Sequence, residues 1–202
     1  MKTNRPEGLR DRKKRATRRA LQSSALALFR RHGPEAVTVE SICADADVSP
    51  RTFFNYFSTK DEAAFVLEEG APELIEERIV ARPPEETPLE AICAVVVERL
   101  SELANGRIWV ERMLLLRERP ELLPRVVLTN RAVEDAVTRA VAARTGLPEN
   151  DLYVRTTAAA VFATLQAAIS CWQPDAGPDA VTLVSQAADL LSRGLPTPPR
   201  AG

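Results

Sequence analysis

Apolar residues along this chain recur every three to four positions and never settle into a two-residue alternation, which predicts helices throughout and no strand. The first stripe, Leu21, Ala25, Leu28 and Phe29, defines a helix that Gly33-Pro34 ends, with His32 in its last turn. A narrower stripe of Val39, Ile42, Cys43 and Ala46 follows Thr38, a residue suited to cap a short helix with its hydroxyl, and Glu40 suits the positive end of its dipole. Ala46-Asp47-Val48 reads as a turn with Val48 inward. Ser49-Pro50 then restarts the helix, because serine caps and proline at the first position loses no backbone bond. Phe53 and Phe57, four apart, take the core face. Thr59 and Glu62 form a T-x-x-E capping box, which sets Lys60 at a further helix start.

Beyond that point the stripes are longer. A helix from Lys60 to about Ile79 carries a possible break at Gly70-Ala71-Pro72, and Arg82 to Pro88 has the proline content of a loop. Helices are expected over about 88–104 (Leu89, Ile92, Cys93, Val96, Leu100), 107–118 (Trp109, Met113, Leu116), 121–145, 148–172 and 178–193. Asn105-Gly106, Pro120, Gly146, Pro174 to Pro178, and Gly194 with Pro196 punctuate them. The expected fold is all-α with about nine helices: a three-helix head over 1–60 and a helical-bundle body over 61–202. The eighth and ninth helices, 148–172 and 178–193, are apolar over more than one face, with alanines beside the main stripe. Excess apolar width of that kind is ordinarily buried against a partner, here as a four-helix interface in a homodimer.

Charge sharpens the division. Residues 1–60 hold 13 Lys+Arg against 6 Asp+Glu, while the remainder holds 14 against 22, for a net −1 overall. A basic head on an acidic body orients one end of the molecule toward a polyanion. The run Arg10, Arg12, Lys13, Lys14, Arg15, Arg18 and Arg19 follows a lead (1–8) with no apolar pattern. It reads as a solvated helix face or as a basic arm adding phosphate or minor-groove contacts.

Within the head, Arg51, Thr52, Asn55 and Tyr56 remain outward once Phe53 and Phe57 are placed inside. Arginine can fork onto guanine and asparagine onto adenine, while threonine or tyrosine meets a phosphate or a thymine methyl. Lys60, at a helix N-terminus, combines a cation with free backbone N–H groups, a phosphate site. Two short helices joined by a tight turn suit insertion of the second into the major groove of double-stranded DNA.

These residues, in the segments RRALQSSALALFRRHGPEAVTVESI, ADADVSPRTFFNYF and STKDEAAF, resemble the head of a TetR-family transcriptional regulator over about Thr17 to Leu67. The resemblance implies a helix-turn-helix head, a variable effector-binding body and a homodimer, usually acting as a repressor. It places Thr38, Ser49, Thr52, Tyr56 and Lys60 at positions similar to the family's DNA contacts, and Pro50, Arg51 and Asn55 complete the candidate set. Arg51 stands where glycine is frequent, and Phe54 where a tyrosine usually reaches a phosphate. Phe54 cannot donate that bond.

The body is expected to hold an unidentified small-molecule effector between its helices over 88–104, 107–118 and 121–145, lined by Cys93, Val97, Trp109, Met113, Leu116 and Val127. Arg112, Asn105 and Asn130 would add polar contacts; ordinary bundle core is the other reading of each residue. Effector binding would move the fourth helix, change the separation of the recognition helices and release a palindromic operator. Catalysis is not expected, since the chain has one His, no G-x-S-x-G or H-E-x-x-H motif and no glycine-rich phosphate loop. No cofactor or metal is implied. Cys43, Cys93 and Cys171, odd in number and far apart, are expected as reduced, buried thiols. With no signal-like N-terminus and no apolar run of 18 residues, the chain is expected to be cytoplasmic, without a membrane partner. A ligand-independent, architectural DNA-binding protein is the alternative.

Overall fold

The computed structural model describes residues 9–67, 70–104, 106–173 and 176–197, and among them there are eleven α-helices and no strand. The expected lead over 1–8 and Asn105 lie outside the described residues. The chain divides into two compact units, Met1–Val66 and Leu67–Gly202.

In the first unit, α1 (Leu9–His32) packs on α2 (Val39–Asp45) and α4 (Lys60–Phe65), and α3 (Pro50–Phe54) packs on α2. Each short helix is started by a side chain. Thr38 accepts from the Ser41 N–H while Ser41 Oγ accepts from the Thr38 N–H, a reciprocal box not foreseen from the sequence. Ser49 accepts from the Thr52 N–H, and Thr59 from the Glu62 N–H. The Glu62 carboxylate, however, accepts from Ser58 N–H at 2.6 Å, one residue outside the expected box. Asp47 takes the turn between α2 and α3 with φ 52°, a left-handed conformation that a short polar residue tolerates. Leu21, Leu26, Phe29, Ile42, Phe53 and Phe65 are fully buried, with the Phe29 and Phe65 rings 6.0 Å apart. Leu26 replaces Leu28, which is only half-buried, on the core face of α1.

The second unit contains α5 (Ala71–Val80), α6 (Pro88–Leu103), α7 (Arg107–Glu118), α8 (Leu123–Thr129), α9 (Arg131–Thr145), α10 (Leu152–Cys171) and α11 (Ala180–Ser192). Two expected helices are each split, which turns nine into eleven. Lys60 to Ile79 becomes α4 and α5, because Val66 turns extended and Gly70 adopts φ 78°. The expected 121–145 helix breaks at Asn130 (φ −104°, ψ 23°), whose amide donates to Val126 O and accepts from Leu67 N–H. α5 packs against α9, and α10 against α11, around Ile79, Ile92, Val95, Val137, Val141 and Val154. The loop after α5 is fastened by Arg144 of α9, whose guanidinium donates to the carbonyls of Ile79, Arg82, Pro83 and Glu86 at 2.7–3.2 Å. Thr87 and Glu90 then form a full capping box for α6.

α10 is long and largely apolar. Although Arg155, Thr156 and Gln166 interrupt it, an 18-residue window averages a hydropathy of 1.3, and by length and composition alone it could cross a membrane. Only 22% of that window is buried within the chain, and half of the helix's 20 residues are exposed. Its inward edge (Val154, Ala158, Val161, Ala168) contributes to a bundle that includes α9 and α11. Cys171 is likewise exposed at the end of this outward face, contrary to a uniformly buried set of thiols, while Cys43 is buried and Cys93 half-buried; all three are free.

Candidate nucleic-acid interface

The candidate interface is built on α3, a helix of five residues whose start and direction are fixed by the Ser49-Pro50 cap. Ser49 Oγ and Thr52 Oγ1 lie 3.0 Å apart, so both hydroxyls are held at the helix start. Fully buried Phe53 anchors the helix from below, and buried Phe57 lies 5.9 Å from it, just past the helix end. The opposite side exposes Pro50, Arg51, Phe54 and Asn55, with Thr52 and Tyr56 half-exposed. Asn55 is the C-terminal cap residue of α3 rather than part of a longer helix, and Tyr56 follows it in the turn. Six of the candidates (Ser49, Pro50, Arg51, Thr52, Asn55 and Tyr56) therefore cluster at α3, and Thr38 is exposed at the start of α2.

Arg18 of α1 ties this end of the head together. Its guanidinium carbon stands 4.6 Å over the Phe57 ring, and Nη1 donates to Tyr56 O at 3.5 Å. Lys60 is placed differently from the sequence expectation of a cation presented at a helix end. Nζ donates to Pro34 O at 2.7 Å and Val37 O at 2.8 Å, so the ammonium latches the 3-10 turn at Pro34–Ala36 to the start of α4. Three donors on an ammonium leave one for a phosphate. Glycine and proline in Gly33-Pro34 marked a break; nothing in the spacing indicated that Lys60 would close it.

The basic run occupies the first turns of α1. Arg10, Arg12, Lys13, Lys14 and Arg15 are exposed there. Cations at a helix N-terminus oppose the macrodipole, a cost of roughly 0.3–1 kcal/mol each at an exposed site.

The expected effector residues do not form one lining. Trp109, Arg112, Met113 and Leu116 share one buried face of α7, and Trp109 meets Trp172 with ring centroids 6.3 Å apart. Cys93 and Val97 are half-buried on α6, and burial raises the Cys93 thiol pKa above its usual value. Val127 is 47% exposed, and the Asn130 amide is engaged at the α8–α9 break. An open recess of about 560 Å³ lies elsewhere, lined by Leu89, Leu152, Tyr153, Thr156, Thr157 and Ala160. Among the described residues no group of three His, Cys, Asp or Glu is arranged to hold a metal ion.

Comparisons with known proteins agree with this geometry. Residues 21–63 match the family of bacterial regulatory proteins, tetR family, and residues 86–196 match the MftR C-terminal domain of TetR-type proteins. The chain is 33% identical over 170 residues to the HTH-type transcriptional regulator TcmR of Streptomyces glaucescens, covering 81% of this chain and 75% of that protein. Solved structures share the fold. SmeT, the repressor of the Stenotrophomonas maltophilia multidrug efflux pump SmeDEF, has a TM-score of 0.55 at 18% identity, over 91% of this chain and 97% of its own. FadR of Bacillus halodurans has 0.52 at 20%, over 95% and 98%. Thermus thermophilus FadR, solved with lauroyl-CoA, has 0.51 at 19%, over 92% and 98%. With a capped helix-turn-helix in the first unit, a helical body in the second and both segments matched, this chain belongs to the TetR family of transcriptional regulators, proteins that bind DNA and are not enzymes.

Proposed function

We propose that this regulator is a homodimeric repressor that holds a palindromic operator through α3 and is released by a small-molecule effector. The observation that carries the reading is the exposed face of α3, where Arg51, Asn55 and Thr52 stand on a rigid aromatic anchor beside a cationic α1. Arg51 and Asn55 would read base edges, while Thr38, Ser49, Pro50, Thr52, Tyr56 and Lys60 would position the backbone. One head offers few base contacts, and two heads one helical turn apart read a palindrome.

The dimer would form on the outward faces of α10 and α11. On α10 that face runs through Leu152, Thr156, Ala159, Ala163, Gln166 and Ala167, all exposed, with small residues that admit close approach. Burial of this face would also account for an apolar helix left mostly uncovered.

For the effector, the α6–α7 region remains the proposed location, around Cys93, Val97, Trp109, Arg112, Met113 and Leu116. Arg112, 7% exposed, shares this buried face with Trp109, Met113 and Leu116. Release requires that the ligand bind the DNA-incompetent state more tightly. The chain contains two tryptophans, paired at this region, so intrinsic fluorescence reports on it directly.

Selection of bound duplexes from a random pool, followed by titration, tests the whole reading. A palindrome bound two protomers per duplex is the expected result. Binding by single protomers to non-symmetric sites would overturn the dimeric repressor. A bound palindrome whose affinity no candidate metabolite shifts would favour a ligand-independent regulator.

A further inference from the structure

Phe54 is the one large apolar side chain on the exposed face of α3, and it is 58% exposed. A phenylalanine in that position gains nothing from water and contributes little to the head core, which Phe53 already fills at full burial. Its ring is nevertheless held. It stands edge-on to Phe53, centroids 5.4 Å apart at 82°, so its orientation is tied to a residue that does not move. Arg51 lies one turn earlier on the same side, and Asn55 adjoins it. A helix presenting Arg51 and Asn55 to base edges presents this ring to the groove as well.

The groove chemistry selects a partner. A phenyl ring has no donor for a phosphate, and the major-groove edges of guanine, cytosine and adenine offer polar atoms that the ring would desolvate without compensation. Thymine alone presents an apolar group there, its C5-methyl. We propose that Phe54 is a specificity-determining residue that reads a thymine C5-methyl in each half-site, beside the bases contacted by Arg51 and Asn55. The inference rests on α3 being the DNA-reading helix. It assigns to Phe54 a readout of base identity, where a hydroxyl-bearing residue would grip the backbone.

The test uses the full-length protein and a duplex obtained by selection from a random pool. Each thymine is replaced singly by deoxyuridine, which removes the methyl and keeps every hydrogen-bonding atom, and affinity is read by fluorescence anisotropy. Wild type should show one thymine position per half-site where the replacement weakens binding about fourfold, the effect of one methyl withdrawn from an apolar contact. Phe54→Ala should bind the thymine and uracil duplexes equally at that position, while still discriminating at the bases read by Arg51 and Asn55. Where Phe54→Ala binds too weakly to compare, Phe54→Gln keeps the bulk without the apolar surface and should show the same loss. Methyl-insensitive binding by wild type, or undiminished methyl sensitivity in both variants, would overturn the proposal and leave the DNA-reading role of α3 intact. If wild type binds no duplex at low salt, the DNA-reading role itself fails and the proposal with it.

Discussion

Replacing Lys60 by alanine separates two roles that the structure joins in one side chain. The ammonium donates to Pro34 O and Val37 O at 2.7 and 2.8 Å, both contacts partly buried. Hydrogen bonds to a charged group are each worth about 1.5–3 kcal/mol where water is excluded. Pro34 and Val37 are themselves buried and the two contacts partly so, and a total loss of about 1–3 kcal/mol in the head is expected. Urea unfolding followed by far-UV circular dichroism on the full chain measures it as a lowered midpoint at constant slope. A phosphate role has a different signature. One phosphate per protomer contributes about 0.9 to the slope of log K against log salt, so a dimer lacking both contacts should lose about 1.8. A latch alone predicts lower stability and weaker binding with the salt slope preserved. An unchanged unfolding midpoint would refute the latch, and an unchanged slope would refute the phosphate contact.

Three further outcomes are expected. Arg144→Met removes the donors to the Ile79 carbonyl of α5 and to three loop carbonyls and should destabilise the body by about 2–4 kcal/mol in denaturant unfolding; an effect below about 0.5 would show that water replaces them freely. Ala163→Arg, on the exposed face of α10, should yield a folded monomer in analytical ultracentrifugation with much weaker operator binding, and a persistent dimer would remove the proposed interface. The pH dependence follows from carboxylates held below their usual range: Glu86 by its hydrogen bond to Arg82, Glu90 by the Thr87 N–H and hydroxyl, and Glu102 by Arg78 and Arg99. A depressed folded pKa stabilises above the unfolded value, about 4.3, and that stability is lost as pH falls through the folded value. Thermal unfolding should therefore show the melting temperature falling below about pH 4.5, and Glu86→Gln should flatten that limb.

Local patterning carried most of the head. Thr38, Ser49-Pro50 and Thr59 each start a helix where expected, because a cap is a contact among four successive residues and needs no distant partner. Phe53 and Phe57 were legible as core from their spacing alone. Positions decided by a distant partner were harder. Nothing within the 121–145 stripe forbids a continuous helix, and it breaks at Asn130 where the amide meets Leu67 N–H, a residue 63 positions away. The lining expected for an effector had the same weakness: helical spacing put Trp109, Met113 and Leu116 on one face, where Arg112 is also buried, but could not say whether that face meets a cavity or Trp172.

The sequence by itself determined the all-helical class, the order of short and long helices, the helix-turn-helix and the opposite charges of its two parts, since these follow from caps, periodicity and composition. Packing decided that Lys60 closes a turn 23 to 26 residues upstream, that Arg144 fastens a loop about 60 residues away, and that half of the α10 residues stay exposed. Those outcomes depend on which acceptors and faces are brought within a few ångströms by packing. Residue spacing along one helix does not contain that information.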